Sequence, residues 1–349
     1  MLENRPSAAH NHSHKFLKTL KVNILKAILI QKFGGSDQLV IDTIPTPKAE
    51  MGRVLIKVKA FGVNRAETYM RRGLFGEVVK VSGIECVGLV EQDPSGKFAA
   101  GQKVVAIMGG MGRVINGSYA EYTSVPVENV FAIDTTLSWE ELASVPESYA
   151  TAWTALHENM ALKPGQTVLI RGATSALGQA AINIAANTPG VTVLAATRNE
   201  ANTRLLTDLG ARRVLIEDGY VGQQVRKLYP DGIDSVMDIV GNSTLLDSLK
   251  AVKKGGTVCN TGFLGGGDPI QFNPLADMPS LVNLNFFASF NFGKKDFPIS
   301  NIPMQEIVDR AAQGVYKASP KKVFKFDEIA KAHDLMESNT VCGKIVVVV

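Results

Sequence analysis

Gly172-Ala173-Thr174-Ser175-Ala176-Leu177-Gly178 is a run of small residues between a short apolar stretch, residues 167–170, and a segment with Leu177, Ala181, Ile184 and Ala185 at helical spacing. Small residues at a helix start let a polyanion approach the backbone, where the first N–H groups have no partner inside the helix. Ala173, Thr174, Ser175, Ala176 and Leu177 are therefore candidates to hold a pyrophosphate. Further on, a β-rich stretch from Val191 ends in Thr197-Arg198. In a βαβ nucleotide site the end of the second strand meets the adenosine ribose, and NAD enzymes place an acid there. A hydroxyl and a guanidinium suit a 2′-phosphate instead, through charge-assisted hydrogen bonds worth about 1.5–3 kcal/mol each. The pair predicts NADPH as the cofactor, preferred by about one to two decades, with Arg204 placed to assist. The glycine pattern is incomplete, because Ala173 and Ser175 occupy two of the three GxGxxG positions counted back from Gly178. On that pattern alone, a tight helix–strand contact without a ligand stays open.

The elements that must carry this turn follow from periodicity. Residues 26–142 read as Val/Ile-rich strands separated by Gly, Pro and Asp turns. From residue 143 the period changes. A helix is predicted over 144–159, and then strands alternate with helices (199–209, 221–228 and 244–252) as far as about residue 263. That alternation implies right-handed βαβ crossovers and a doubly wound parallel sheet. After Gly267 the pattern loosens, before a strand, a helix (327–338) and a very apolar strand (344–349) that is expected to rejoin the first unit. The expected organisation is an extension over 1–24, a β-rich unit over 25–145 and 290–349, and a nucleotide-binding unit over 146–289.

Composition narrows the class. A chain of 349 residues is long for one core, and 45% hydrophobic content with 32 Gly fits an α/β protein of two domains. The net charge of +4 comes without a basic cluster interleaved with aromatics, so no nucleic-acid partner is expected. Cys86, Cys259 and Cys342 are isolated, as in a reducing compartment, and a cytoplasmic protein is expected. No apolar run reaches the length of a membrane span. Residues 1–24 hold three of the five His and end in a basic stretch; they are read as a disordered extension or the product of an upstream start codon.

Five segments in order resemble the zinc-independent quinone oxidoreductase branch of the medium-chain dehydrogenase/reductase superfamily. They are residues 62–69 (Gly-Val-Asn-Arg-Ala-Glu-Thr-Tyr), 83–88 (Gly-Ile-Glu-Cys-Val-Gly), 117–122 (Gly-Ser-Tyr-Ala-Glu-Tyr), 163–178, and the ending Ala332-His333-Asp334-Leu335-Met336-Glu337 with Gly343-Lys344-Ile345-Val346. The resemblance covers 26–349 and implies an α/β fold: a GroES-like β-rich catalytic domain plus a Rossmann domain. It implies that Thr151 contacts the nicotinamide, that Gly262 and Phe263 follow a strand lining the cofactor cleft, and that Val240 ends the preceding strand.

The ligand positions of zinc-dependent relatives correspond here to Asn64, Ile84 and Glu147, a set that holds no zinc, so no metal is expected. Without a Lewis acid, the acceptors implied are small electrophiles that need little polarisation: quinones or α,β-unsaturated carbonyl compounds. Asn64 and Tyr69 match the family's paired Asn and Tyr near the substrate and are the catalytic candidates, Asn64 as a polar donor and Tyr69 as a phenolic donor or wall. Many relatives carry Tyr where this chain has Phe75, which weakens a 2-enoyl-thioester reductase reading. His157 and His333 are read as packing or surface residues, and Glu85 as a structural hydrogen-bonding group. A non-catalytic NADPH sensor or RNA-binding protein is the alternative from another class. An apolar edge over 281–292 suggests a homodimer that continues the parallel sheet.

Overall fold

The computed structural model describes residues 23–349, so the expectation for residues 1–24 lies almost wholly outside the described residues. Strands β1 (Ile24–Ile30) and β2 (Leu39–Pro45) form an antiparallel pair. They are followed by β3 (Arg53–Val63), β4 (Glu85–Gln92), β5 (Lys103–Ile107), β6 (Tyr122–Pro126) and β7 (Val130–Ala132). Next come β8 (Thr167–Arg171), β9 (Thr192–Thr197), β10 (Arg213–Ile216), β11 (Ile233–Asp238), β12 (Val252–Asn260) and β13 (Asn283–Phe286). The chain returns through β14 (Lys322–Lys325) and β15 (Ile345–Val348).

Two large sheets result. One runs β14-β15-β3-β4-β5-β7, with β6 paired to β3, and the apolar C-terminal β15 lies antiparallel to β3 as its composition leads one to expect. The other runs β10-β9-β8-β11-β12-β13, with every neighbour parallel. This is the doubly wound order, reversing direction between β8 and β11, and ligands bind outside the carboxyl ends of the strands at such a reversal. Alternation along β8 sends Val168 and Ile170 to one core and Leu169 to another, so helices cover both faces.

Some local expectations change. The predicted helix over 144–159 is an α-helix, Pro146–Thr154, that widens into one π turn, Ala155–Asn159. The predicted helix over 199–209 is a 3₁₀ turn, Glu200–Asn202, leading into Thr203–Asp208. Beyond Gly267 the short strand β13 extends the parallel sheet as its exposed edge. No helix among the described residues is long and apolar enough to cross a membrane.

Candidate active site

A cleft of about 950 Å³ lies between the two sheets, at the carboxyl ends of β8 and β11. The run of small residues forms its floor. Gly172 leaves β8 at φ +76°, where a Cβ would stand 3.1 Å from Ile239 Cβ. Ser175 then caps the helix Ala176–Ala186: its Oγ accepts from Gly178 N at 3.0 Å and donates to Gly172 O at 2.8 Å. A Cβ on Gly178 would lie 2.5 Å from Gly172 O and 2.7 Å from Ala173 Cα, so the third glycine is required sterically. Thr174, Ser175, Ala176 and Leu177 line the cleft, and the N–H groups of Ala176 and Leu177 open the helix without intrahelical partners. Ala173 departs from expectation. Its side chain is fully buried in the core behind the turn, where it packs instead of meeting a ligand.

At the end of β9, Thr197 and Arg198 both line the cleft. The Thr197 hydroxyl is committed locally, donating to Asn199 O at 3.3 Å and accepting from Asn199 N at 3.3 Å, so it is no free donor for a phosphate. Arg198 is exposed and has no ion-pair partner among the described residues. Arg204 is also displaced from its expected role: it lies 3.8 Å from Asp208 on an exposed helix face and is not part of the cleft wall. An acid that sequence reasoning overlooked, Glu217, does reach the cleft from the end of β10. Its two oxygens are gripped by Arg171, Nε at 2.9 Å and Nη2 at 2.5 Å, and Arg171 in turn donates to Asp247 and Ser248.

Thr151, Val240, Gly262 and Phe263 also line the cleft. The Thr151 hydroxyl donates to Glu147 Oε1 at 3.0 Å, and burial raises the pKa of the Glu147 carboxyl. Tyr69 donates its hydroxyl to Phe263 O at 3.2 Å, across from one sheet's territory to the other's, and meets Phe75 edge-on at 5.7 Å. Asn64 lines the cleft too, but its amide is spent. Nδ2 donates to Glu85 Oε1 at 2.8 Å, and Oδ1 accepts from Lys344 Nζ at 2.6 Å. The expected polar donor is thus a link in a buried network. Lys344 also donates to Glu85 Oε1 at 2.5 Å and to Ser148 Oγ at 3.3 Å. Glu85 accepts in addition from Glu147 N at 2.8 Å, the structural role its position suggested. Glu67, fully buried, takes the N–H of Asn64 at 2.9 Å, and burial pushes its pKa up to about 8.

Comparison with known proteins bears on this cleft directly. Residues 50–135 match the alcohol dehydrogenase GroES-like domain, and residues 209–347 match the zinc-binding dehydrogenase family. The quinone oxidoreductase of Lama guanicoe is 28% identical over 334 residues, covering 93% of this chain and 97% of its own. The human quinone oxidoreductase is 27% identical over the same shares of the two chains. A mycobacterial protein solved in complex with NADPH superposes with a TM-score of 0.82 at 26% identity, over 93% of this chain and 100% of that one. The chain belongs to the quinone oxidoreductase branch of the medium-chain dehydrogenase/reductase superfamily. It is an NAD(P)H-dependent oxidoreductase. The CurK enoyl reductase, at 23% identity and a TM-score of 0.79 over 93% of this chain and 99% of that one, shares the fold.

The residue types at the expected ligand positions bear on zinc. Ile84 has no donor atom, and the Asn64 carbonyl already faces an ammonium, which would repel a divalent cation at the same place. The residues present do not fit the zinc that the name of the second matched family implies. The side chains that sequence reasoning missed are Lys344, Glu67, Arg171 and Glu217. Lys344 stood in the quoted ending, but it lies 259 positions from Glu85, and nothing local announces the pairing. Arg171 carries a signal in hindsight, being a charged residue at the end of an otherwise apolar buried strand.

Proposed function

We propose that the protein is an NADPH-dependent, zinc-free reductase of quinones and α,β-unsaturated carbonyl compounds. The observation that carries the reading is a cleft at the sheet reversal with Arg198, which has no ion-pair partner among the described residues, at the end of β9, and with the Asn64 carbonyl in its wall taken up by the buried Lys344 ammonium. Ser175 and Gly178 keep the turn open to a pyrophosphate, which the N–H groups of Ala176 and Leu177 would hold. Arg198 would face a 2′-phosphate. Thr151, Val240, Gly262 and Phe263 enclose the nicotinamide end. The bound coenzyme supplies a hydride, and the protein supplies orientation, exclusion of water and hydrogen bonds to the acceptor. Tyr69, whose hydroxyl is donated to Phe263 O, serves the acceptor oxygen by giving up that bond when the acceptor binds, while Asn64 holds Lys344 and Glu85 in place. The three free cysteines accord with a cytoplasmic setting, and the exposed edge of β13, with Leu284 and Phe286, accords with a homodimer.

One observation favours 2-enoyl-thioester reduction as a second reading. Glu147 is a carboxyl in the cleft wall that burial keeps protonated longer than usual, so the acid that Phe75 cannot provide has another source. The experiment is NADPH consumption with 9,10-phenanthrenequinone and 1,4-benzoquinone against a crotonyl thioester. Turnover of the quinones with little on the thioester is expected; the reverse selects the second reading. Tight NADPH binding with no turnover on any acceptor contradicts both and points to a nucleotide sensor. An Arg198→Asp variant should weaken NADPH by about ten- to a hundredfold and leave NADH nearly unchanged.

A further inference from the structure

The cleft has a cationic side chain among aromatic rings, away from the turn that would hold a pyrophosphate. Three arginines line it: Arg198 at the end of β9, Arg65 bonded to Asn339, and Arg113. Arg65 lies beside Tyr69, and Arg113 lies among the aromatic residues of the same end of the cleft. Its guanidinium carbon lies 5.6 Å from the centre of the Phe75 ring and 5.3 Å from that of Phe290. Phe75 in turn touches Tyr69. The side chain of Arg113 is half-buried, yet it has no carboxylate partner among the described residues. The two acids of the cleft wall are engaged elsewhere, Glu147 with Thr151 and Glu217 with Arg171.

The backbone presents this residue firmly. Gly110 O accepts from the N–H groups of Arg113, Val114 and Ile115 at 2.9–3.1 Å, and Arg113 O accepts from Val79 N at 3.2 Å. Gly112 adopts φ +71° with its α-carbon so close to Gly83 that a Cβ would lie 3.1 Å from Gly83 N. The opposing ring, Phe290, belongs to the 3₁₀ turn Ser289–Asn291. A guanidinium stacked against aromatic rings keeps its in-plane N–H groups available, and these match the paired oxygens of a carboxylate, sulfonate or phosphate. A half-buried guanidinium without a carboxylate partner among the described residues, in the wall of a cleft, can receive an anion carried on a ligand.

We propose that Arg113, between the rings of Phe75 and Phe290, anchors an anionic group on the acceptor, so that the preferred substrates are planar conjugated acceptors bearing a carboxylate, sulfonate or phosphate. The proposal rests on reading this end of the cleft as the acceptor site, and it names the class of acceptor. A neutral quinone gains only the stacking; an anionic one gains the charge-assisted hydrogen bonds as well.

The test has a binding arm and a turnover arm, each on wild type, Arg113→Gln and Arg113→Lys. In the first, calorimetry on the NADP⁺-loaded protein compares naphthalene-1-sulfonate with the uncharged 1-naphthalenemethanol. In the second, the KM for 1,2-naphthoquinone-4-sulfonate is compared with that for 1,2-naphthoquinone. Arg113→Gln should weaken the sulfonates by about ten- to a hundredfold and the neutral compounds by less than about twofold, with Arg113→Lys recovering part of the loss. Equal weakening of charged and neutral compounds would show that Arg113 only braces the rings and would overturn the proposal, as would no effect on either. If the sulfonate binds in an Arg113-dependent way while no quinone is reduced, the anion site stands and the reductase reading fails. If quinones turn over without charge discrimination, the outcome is the converse.

Discussion

Lys344 joins residues far apart in the sequence into one buried network beside the cleft. Its ammonium is almost fully buried, with Asn64, Glu85 and Ser148 as acceptors. A charge so placed is tolerated only because Glu85 neutralises it. Removing it by Lys344→Met would leave the Glu85 carboxylate buried beside two other carboxyl groups, Glu67 and Glu147. That variant should lose about 3–5 kcal/mol of stability in urea unfolding; a loss below about 1 kcal/mol would show that the network relaxes or hydrates freely. At this scale the sequence was partly legible. Tyr69 and Asn64 were recognisable as polar groups able to serve an acceptor, and both do line the cleft. That Asn64 would be consumed by a lysine 280 positions away could not be read, because only tertiary packing brings the two together. For the same reason Thr197 looked like a free hydroxyl, whereas its own following turn claims it.

At the scale of elements, the strand–turn–helix unit of β8 and Ala176–Ala186 is where local sequence and structure agree best. Alternating burial along the strand and helical spacing after it were both visible in the residue pattern. The replaced glycines are also understood: the Ala173 side chain fills the core, and the Ser175 side chain caps the helix, so neither position needs to be bare. Gly178 differs, because the atoms facing it are backbone and cannot swing aside. Gly178→Ala should cost about 1–3 kcal/mol through overpacking and should also weaken NADPH by displacing the helix start. Thermal melting and a fluorescence titration check the two effects, and an unperturbed variant would show that the helix shifts at no cost. The π turn at Ala155–Asn159 was not legible, and the edge strand β13 was legible only as an apolar edge over 281–292. Strand β13 has only four residues with Asn at two of them, and it becomes a strand because β12 lies beside it, with Thr257 opposite Asn283.

For the whole molecule, the C-terminal return ties the β-rich sheet together through β15 and the helix Ile329–Glu337. His333 on that helix is fully buried, its Nε2 2.9 Å from the Tyr119 hydroxyl, in a packing role. Burial, with the Arg71 charge as a second cause, lowers its pKa to about 3. An unfolded histidine titrates near 6.5, so between about 6.5 and 3 the unfolded chain binds the extra proton and the folded chain does not. Stability from this residue is therefore present above pH 6.5 and is lost as the pH falls. Between pH 7 and 5 wild type should lose about 2 kcal/mol more than a His333→Gln variant; parallel stability–pH curves for the two proteins would contradict the assignment. The two-sheet architecture itself was readable from the change of period at residue 143 and the apolar ending. The pairing of distant charges in the cleft between the sheets was not, since charge partners carry no periodicity.

On the proposed function, the cleft passes a hydride from NADPH to a conjugated acceptor without a metal, its wall braced from behind by the buried network of Lys344, Asn64 and Glu85. The most direct measurement is the rate of NADPH oxidation driven by 9,10-phenanthrenequinone, before and after exhaustive dialysis against a strong chelator. The account predicts turnover that survives chelation undiminished and is faster with NADPH than with NADH. Activity that disappears on chelation and returns with zinc would contradict it.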